Sequence, residues 1–324
     1  MQAPRSSAKL VTVFGGSGFI GRYVVQALAK RGHRIRVAVR RPDLAGHVQP
    51  LGMVGQIKPI QANLRYRWSI DRAVEGADSV VNLVGILAEA GRQTFDAVQS
   101  FEPRAIGEAA RAAGVARVVH NSAIGADQPS TVGYIHSKAE GEAGLLESFP
   151  DAVIMRPSIV FGPEDHFFNR FAGMARLSPA LPLIGGGKTR FQPVFAGDVG
   201  EAIARAVDGE ARRGAIYELG GPEVLTFRQC MERLLKVTKR RRLLLPVPWP
   251  VARIMGQVGE FVPGQPLTRD QVRMLRFDNV VSEDAKNDGR TLAGLGIEAT
   301  ALEVVLPTYL TRFRERGEFT QARV

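Results

Sequence analysis

A tyrosine and a lysine four positions apart, Tyr134 and Lys138, are the residues of this sequence best suited to acid–base chemistry. That spacing is about one turn of an α-helix, so both side chains would lie on one helix face. A neighbouring ammonium lowers the pKa of a phenol, which lets the tyrosine give or take a proton near neutral pH. The lysine can also hydrogen-bond a ribose. Ser122, at the end of a predicted strand, would reach a substrate oxygen.

The stretch GGSGFIG, residues 15–21, predicts a loop that binds the phosphates of a dinucleotide. Its glycines form a G-x-x-G-x-x-G pattern between an apolar strand at 9–14 and a helix, which is the context such a loop requires. Glycine permits a sharp turn, a close approach of the pyrophosphate and tight packing of the helix, whose start attracts anions. A tight turn without a ligand is the alternative. The candidate phosphate-binding residues are Gly15, Gly16, Ser17, Gly18, Phe19, Ile20 and Gly21.

The end of the second predicted strand, AVRRPD, bears on the choice between NAD and NADP. An NAD site usually has an acidic residue there to hold the 2′-hydroxyl of the ribose. This sequence has Arg40 and Arg41, whose guanidinium groups suit the 2′-phosphate of NADP. Asp43 would restore the use of NAD, and a solvent-exposed basic turn is a further alternative. The sequence therefore favours NADP(H) over NAD(H).

Strands and helices alternate through the first half of the chain. Strands are predicted at 9–14, 33–40, 56–60, 78–87, 115–123 and 151–163, and helices after the glycine loop and at 69–77, 94–114 and 137–149. This alternation predicts an α/β fold, a doubly wound parallel sheet of the Rossmann type. We expect the Rossmann domain to span residues 1–163. A smaller, mostly α-helical part for substrate or docking would span 164–324 and interleave with it.

The composition is that of a globular protein with an excess of positive charge. Of the 324 residues 45% are apolar, and the net charge of +11 favours anionic partners. No zinc-ligand pattern or nucleic-acid-binding motif accompanies the charge, so we expect neither a metal site nor a nucleic-acid partner. The single cysteine, Cys230, favours a reducing compartment. We see no signal peptide and no apolar run of membrane-spanning length, and we expect a cytoplasmic protein.

Residues 240–264 combine a basic run, several prolines and a helix-like apolar repeat. Val251, Ile254, Met255, Val258 and Phe261 recur at three- and four-residue intervals, as on one face of a helix. One interpretation is an amphipathic helix that closes the second domain. The other is a docking surface for a membrane complex or for acidic lipid headgroups.

Residues 164–187 form a candidate substrate flap that is rich in aromatic residues. Phe167, Phe168 and Phe171, with His166, would either border a small-molecule pocket or pack in the core.

The motifs together resemble those of the extended and atypical short-chain dehydrogenase/reductase superfamily. The resemblance rests on the glycine loop, VVNLVG at 80–85, Ser122, the Tyr–Lys pair and RPSIVFGP at 156–163. More narrowly, the sequence is similar to the Rossmann-fold accessory subunits of respiratory complex I and their bacterial relatives. SAIGAD at 122–127, SKAEGE at 137–142, RPSIVFGPEDHFFNRF at 156–171 and GGGKTRFQPVFAGDV at 185–199 carry this likeness.

The resemblance implies a role for each matching position. The glycine loop would bind pyrophosphate, Arg40 and Arg41 the 2′-phosphate, and Tyr134 and Lys138 would be the catalytic pair, assisted by Ser122. The remaining positions along the cofactor would be Asn63, Leu64, Val84, Gly85, Pro157 and Ser158. Asn63 replaces an aspartate that often contacts adenine, and Gln99 replaces an asparagine that supports a proton relay. No Asp–Glu pair follows Ser122, which argues against a sugar dehydratase.

Two functions fit these features. The first is an accessory or assembly protein of respiratory complex I or of quinone metabolism that holds NADPH, at the cytoplasmic face of the inner membrane or the matrix face in an organelle. The alternative is an active NADP-dependent oxidoreductase or epimerase on an isoprenoid, quinone-precursor or nucleotide-sugar substrate. Hydride would then pass between C4 of the nicotinamide and a carbinol or carbonyl carbon. A regulator that senses NADPH is a third possibility.

Overall fold

The computed structural model describes residues 8–85, 100–126, 133–259 and 267–315, and its elements are numbered in chain order within these ranges. The strands are β1 Leu10–Phe14, β2 Arg34–Val39, β3 Ile57–Gln61, β4 Ser79–Asn82, β5 Arg117–Asn121, β6 Val153–Pro157, β7 Val160–Phe161, β8 Ala180–Ile184, β9 Arg190–Phe191, β10 Val194–Phe195, β11 Ile216–Leu219, β12 Leu225–Thr226 and β13 Leu243–Val247. The helices are α1 Phe19–Lys30, α2 Arg67–Val74, α3 Glu102–Ala112, α4 Gly133–Ser148, α5 Phe168–Leu177, α6 Ala196–Asp208, α7 Phe227–Thr238, α8 Trp249–Gly259, α9 Arg269–Met274, α10 Glu283–Asn287 and α11 Leu302–Leu310.

The chain divides into two compact units, each assembled from three segments. The first unit consists of Met1–Pro157, Ala196–Leu219 and Ser282–Glu298, and the second unit of Ser158–Phe195, Gly220–Val281 and Ala299–Val324. The chain first crosses from the first unit to the second after Pro157, and two later segments return to the first unit.

A seven-stranded parallel sheet forms the centre of the first unit, as predicted for a doubly wound α/β fold. The strand order is β11-β6-β5-β4-β1-β2-β3, and every neighbouring pair is parallel. All four residues of β4 and all five of β6 are buried, because a sheet covered by helices on both faces has no solvent-facing side. This accounts for the continuous apolar runs that the sequence shows at these strands.

The strand order reverses between β1 and β4, and this point fixes where a ligand would bind. Doubly wound sheets bind ligands at the carboxyl ends of the strands, next to such a reversal. The register pairs Phe14, the last residue of β1, with Asn82, the last residue of β4. The loops that follow the two strands therefore lie side by side. The glycine stretch is one of these loops.

The second unit is built from helices and three two-stranded sheets, β7 with β10, β8 with β13, and β9 with β12. Aromatic rings fill its core. Phe168 is fully buried, and its ring centroid lies 5.0 Å from that of Phe167. Phe171 packs against Phe227 at 5.3 Å. Of the two interpretations of these phenylalanines, core packing is the one that describes their surroundings.

The basic run at 239–242 does not lie wholly in solvent. Arg240 is buried, and its Nε donates to the carbonyl of Phe313 at 2.7 Å. Arg242 donates from Nε to the carbonyl of Ala175, also at 2.7 Å. Both guanidinium groups connect the residues just before β13 to other segments of the second unit. Two of the four cations in this run therefore hold the unit together.

Two observations concern the described residues alone. None of their helices has the length and apolar character needed to cross a lipid bilayer. No three of their histidine, cysteine, aspartate and glutamate side chains are grouped as the ligands of a metal ion would be.

Candidate functional site

The glycine loop is closed by contacts that leave no room for side chains. Gly15 has φ of +77°, a conformation that residues with a Cβ rarely adopt. A Cβ added at Gly21 would lie 2.4 Å from the carbonyl oxygen of Gly15 and 2.6 Å from the carbonyl carbon of Gly16. Glycine at position 21 therefore brings α1 directly against the loop. The result is a bare backbone surface beside the first turn of the helix.

The start of α1 has the features of an anion-binding site. Gly18 is the N-cap and offers no side chain to the N–H groups of the first turn, and that turn contains no acidic residue. The first N–H groups of a helix have no partner within the helix, and its dipole places partial positive charge there. Ser17 lies at the same point, and its carbonyl contacts Nε2 of His47 at 3.2 Å. A pyrophosphate would fit this end of the helix without displacing a cap.

Arg40 and Arg41 follow β2 directly and are both exposed at its carboxyl end. Arg41 is engaged by Asp43, since its Nη2 lies 3.0 Å from the carboxylate Oδ2. The hydrogen bond from Arg41 holds the pKa of Asp43 below its usual range. Asp43 is the acid that would have to hold the ribose hydroxyls of NAD, and an arginine next to it already occupies its carboxylate.

Asn63 and Leu64 follow β3 at the same edge of the sheet. Leu64 is buried in the core of the first unit. Asn63 is half-buried, and its Oδ1 accepts a hydrogen bond from the backbone N–H of Arg65 at 3.2 Å. Its own N–H donates to Oγ of Ser69 at 2.9 Å. These bonds fix the turn at the position where the family resemblance expects adenine.

Val84 and Gly85 follow β4, in the loop that lies beside the glycine loop after β1. A Cβ at Gly15 would lie 3.3 Å from both the backbone nitrogen and Cγ2 of Val84, so the loops after β1 and β4 are in contact. The N–H of Val84 donates to Oδ1 of Asn82 at 3.1 Å, which fixes the chain as it leaves the strand. Gly85 is exposed. Gln99 lies outside the described residues.

Glu102 is a buried acid that the sequence did not single out. It begins α3 and is only 6% exposed. Burial raises its pKa to about 8, against the opposing influence of Arg40 and Arg65. Its Oε2 has no hydrogen-bond partner in the part of the chain that the structure describes. Nothing in the local sequence around Glu102 indicates that its side chain is buried.

Tyr134 and Lys138 lie in the first two turns of α4, and both are buried. Lys138 Nζ donates to the backbone carbonyl of Asn121, at the end of β5, at 3.3 Å. Burial lowers the pKa of Lys138 to about 8, partly offset by the charge of Glu142. Burial also raises the pKa of Tyr134 to about 12. The pKa of the phenol is therefore not lowered as expected from a neighbouring ammonium, because desolvation of the phenolate dominates.

Several buried polar atoms at the ends of β4 and β5 lack a partner among the described residues. They are Ser122 Oγ, Asn121 Oδ1, Asn82 Nδ2 and both ring nitrogens of His120. Burial, reinforced by the charge of Lys138, lowers the pKa of His120 to about 3, so the ring is neutral. Buried polar atoms normally have partners, and their clustering beside the glycine loop fits a site that receives a polar ligand. The bare glycine backbone would suit the pyrophosphate at the centre of a dinucleotide, and these atoms lie at the ends of the neighbouring strands.

A buried ion pair supports Lys138 from within the first unit. Arg156 of β6 donates from Nη2 to Oε2 of Glu142 at 2.6 Å and from Nε to Oε1 at 3.0 Å. Both side chains are less than one-tenth exposed. Glu142 lies one helical turn after Lys138, so the pair fixes both the helix face and the charge next to the lysine. The motifs RPSIVFGP and SKAEGE contain Arg156 and Glu142, but nothing in the sequence indicates that the two residues pair.

Pro157 and Ser158 lie where the first unit gives way to the second. The carbonyl of Pro157 accepts a hydrogen bond from the N–H of Ile124 at 3.1 Å. The hydroxyl of Ser158 donates to Asn279, with Oδ1 at 2.7 Å, and accepts from the N–H of Gln192 at 3.2 Å. Ser158 is thus hydrogen-bonded within the second unit.

The fold and the loop geometry define a class of protein. A parallel sheet with a glycine loop and an uncapped helix at its reversal point is the architecture of Rossmann-type nucleotide-binding proteins. The model of the NAD dependent epimerase/dehydratase family matches residues 11–220, and the chain belongs to this family. A nicotinamide dinucleotide is therefore the class of cofactor that the chain binds.

Similar proteins cover nearly the whole chain. NADH dehydrogenase (ubiquinone) 1 alpha subcomplex subunit 9, mitochondrial, of Arabidopsis thaliana is 34% identical over 291 residues, which are 86% of this chain and 72% of that protein. The protein of the same name from Rattus norvegicus is 34% identical over 312 residues, 95% of this chain and 81% of its own length. The structure of a dTDP-glucose 4,6-dehydratase from Streptomyces venezuelae is 22% identical, with a TM-score of 0.70 over 94% of this chain and 96% of that chain. The resemblance inferred from the motifs is confirmed.

Proposed function

We propose that this chain holds NADP(H) as a resident cofactor and acts as an accessory or assembly protein of the respiratory NADH dehydrogenase, complex I. The similarity to the plant and rat subunits over nearly the full chain supports the assignment to this membrane complex. The resident role rests on the same similarity, and the state of Tyr134 agrees with it. Its phenol is buried with a pKa of about 12. Such a group is protonated at neutral pH and is a poor general base.

The preference for NADP(H) rests on the residues after β2. Asp43 is the acid of this stretch, and its carboxylate is bound to the guanidinium of Arg41. With Asp43 paired to Arg41, the charge of Arg40 leaves this stretch net positive, which favours a 2′-phosphate over a 2′-hydroxyl. Arg40 stands at the same strand end and would bind the 2′-phosphate.

The remaining residues would hold the dinucleotide along its length. The uncapped start of α1 would bind the pyrophosphate, and Lys138 would donate from Nζ to the ribose next to the nicotinamide. When bound, the nicotinamide supplies a hydride donor or acceptor at its C4 atom. Tyr134 would hold a proton on its phenolic oxygen, and Ser122 would donate from Oγ to an oxygen beside it. We propose that the first unit carries these functions and that the second unit serves docking or substrate contact.

A second candidate is an active NADP-dependent oxidoreductase or epimerase. Ser122, Tyr134 and Lys138 are all present, and the Ser122 hydroxyl lacks a partner among the described residues, which favours a substrate oxygen there. Isoprenoid, quinone-precursor and nucleotide-sugar substrates suit this chemistry. In both candidates the protein works at or near the inner membrane, on its cytoplasmic face or, in an organelle, on the matrix face.

The Arg40→Ala variant tests the choice of cofactor. We expect it to weaken NADPH binding by about 1–3 kcal/mol, a loss typical of a charge-assisted hydrogen bond, and to leave NADH binding nearly unchanged. Titration calorimetry with both nucleotides measures this. Arg34→Ala is the matched control, because Arg34 is an exposed arginine at the opposite end of the same strand. Equal losses for the two nucleotides would refute the 2′-phosphate assignment.

The Tyr134→Phe variant separates the two functions. If the cofactor is resident, the variant retains NADP(H) and still supports assembly and activity of the respiratory complex in cells. Nucleotide content is measured in the purified protein, and assembly is measured by native electrophoresis of the membranes. If the variant keeps its cofactor but loses the cellular role, the resident function is refuted and the catalytic function is supported.

A further inference from the structure

Helix α8 of the second unit turns its large apolar side chains toward solvent. Val251, Ile254, Met255 and Val258 are 47%, 61%, 38% and 59% exposed. Their spacing of three, one and three residues places them within about 100° of the helix circumference. They form one continuous strip, the α8 strip, along the whole helix. Within the described residues the repeat is therefore a surface feature, and Phe261, its last position, lies outside them.

The opposite face of α8 is made of small residues that pack against backbone. Ala252, Gly256 and Gly259 are its buried positions. A Cβ at Gly256 would lie 3.2 Å from the carbonyl oxygen of Thr268, and one at Gly259 would lie 2.2 Å from that of Leu267. The contacts leave no space for a larger side chain on this face. The helix therefore cannot rotate to bury the α8 strip within its own unit.

The α8 strip differs from apolar residues of the second unit that are exposed singly. Leu177 and Val304 are also exposed, at 83% and 65%, but they stand on α5 and α11 away from any such repeat. Single exposed apolar residues are normal on protein surfaces. A contiguous strip on one helix marks an interaction site.

The charges around α8 select the kind of partner. The described residues from 239 to 259 contain five basic residues and no acidic one. Arg253 on α8 and Arg241 before β13 are both exposed. The guanidinium of Arg276 lies over the ring of Trp249, the first residue of α8, at 5.1 Å from the ring centroid. An apolar strip in a segment whose exposed charges are basic complements a surface that is apolar within and anionic at its rim, which describes a leaflet with anionic phospholipid headgroups.

We propose that α8 is an interfacial helix that lies in the headgroup region of an anionic membrane, with the α8 strip among the acyl chains and the arginines on the phosphates. This inference is independent of the cofactor site and of the proposed function. The helix has eleven residues and is far too short to span a bilayer. It would bind the membrane reversibly, because one apolar strip and a few charges give modest affinity.

The test is co-sedimentation of the full chain with vesicles of phosphatidylcholine alone or mixed with phosphatidylglycerol. We expect binding to the mixed vesicles at low salt, weaker binding at high salt and little binding to phosphatidylcholine alone. The Ile254→Ser/Val258→Ser variant should bind at least about tenfold more weakly, since several buried methylene groups are lost. The matched control is Leu177→Ser/Val304→Ser, which removes equally exposed apolar groups elsewhere in the unit and should bind like the wild type.

Amide hydrogen exchange provides a readout that needs no variant. Exchange in Trp249–Gly259 should slow on the mixed vesicles, while exchange in Phe227–Thr238 should not change. Wild-type protein that stays in the supernatant with mixed vesicles at low salt would overturn the proposal. So would equal binding by the strip variant and the wild type. If the chain ignores every vesicle but binds a purified membrane protein complex through the α8 strip, the surface is a protein interface and the lipid proposal is overturned.

Discussion

Replacing Lys138 with methionine should stabilise the fold and weaken the cofactor site at the same time. Lys138 is 5% exposed, and burial lowers its pKa from 10.5 to about 8. At neutral pH the lysine is still protonated, so the folded protein keeps a charge in a place that disfavours it. Such a residue is retained for function at the expense of stability.

The magnitude follows from the pKa. A fall from 10.5 to about 8 corresponds to about 3 kcal/mol, at about 1.4 kcal/mol for each tenfold change in protonation. Methionine is unbranched and fills a similar volume, but it leaves the carbonyl of Asn121 without its donor, at a cost of about 1 kcal/mol. We therefore expect Lys138→Met to gain about 1–2 kcal/mol of unfolding free energy. For a unit of this size the gain raises Tm by about 2–8 °C.

The assay is urea unfolding of the nucleotide-free protein from pH 7 to pH 10. Between pH 8 and the unfolded pKa of 10.5 the unfolded chain binds a proton at Lys138 that the folded chain has lost, so wild-type stability rises with pH there. Lys138→Met should lack this rise. Tyr134, with a pKa of about 12, acts in the opposite direction only above pH 10. A variant that is less stable than the wild type at pH 7, or that binds NADPH equally well, would refute the reasoning.

Three further substitutions test the site. Gly21→Ala should cost at least about 2 kcal/mol of stability and abolish nucleotide binding, since its Cβ would lie 2.4 Å from a backbone oxygen. Gly173→Ala is the control and should be tolerated, because there is open space around that position. Thermal unfolding measures the stability of both variants, and calorimetry measures their nucleotide binding. Arg156→Met leaves the Glu142 carboxylate buried without its partner and should cost about 3–5 kcal/mol in urea unfolding, most of it recovered when Glu142 is also made apolar. His120→Leu should reduce the loss of stability from pH 6.5 toward pH 3, because the unfolded chain takes up a proton there that the buried ring resists; unchanged acid unfolding would contradict this.

The sheet could be predicted from the sequence because its strands are short apolar runs punctuated by glycine. LVTVF at β1 and SVVN at β4 carry this signal, and the loop after β1 carries its own in its glycine spacing. The sequence predicts two interleaved parts, but the segments that cross between them could not be predicted in the same way. Ala196–Leu219 and Ser282–Glu298 return to the first unit through long-range contacts, which leave no mark in local composition.

The candidate site divides along the same line. The glycine loop and the Tyr134–Lys138 spacing are local patterns, and the sequence reveals them. The pKa of Tyr134 could not be inferred, because burial depends on what packs over α4. Arg156 reaches Glu142, fourteen positions earlier in the chain, because β6 pairs with its neighbours in the sheet and α4 packs beside it. Sequence spacing has no rule for such a pair.

The exposure of the α8 strip shows the limit of periodicity. A repeat at three- and four-residue intervals identifies a helix face but not the direction in which the face points. The small residues between the strip positions contained the missing information. Gly256 and Gly259 permit backbone contact on the other side of the helix, and this contact decides which face is left in solvent.

The most direct test of the central claim is the nucleotide that the purified protein carries and the rate at which it leaves. Mass spectrometry of the ligand released by denaturation identifies it, and exchange against isotopically labelled NADPH measures its residence. We predict NADP(H) in the wild type, exchange much slower than catalytic turnover, and faster exchange in Arg40→Ala. Protein that carries NAD(H), or that exchanges and oxidises NADPH as fast as a working enzyme, would contradict a resident NADP(H) cofactor.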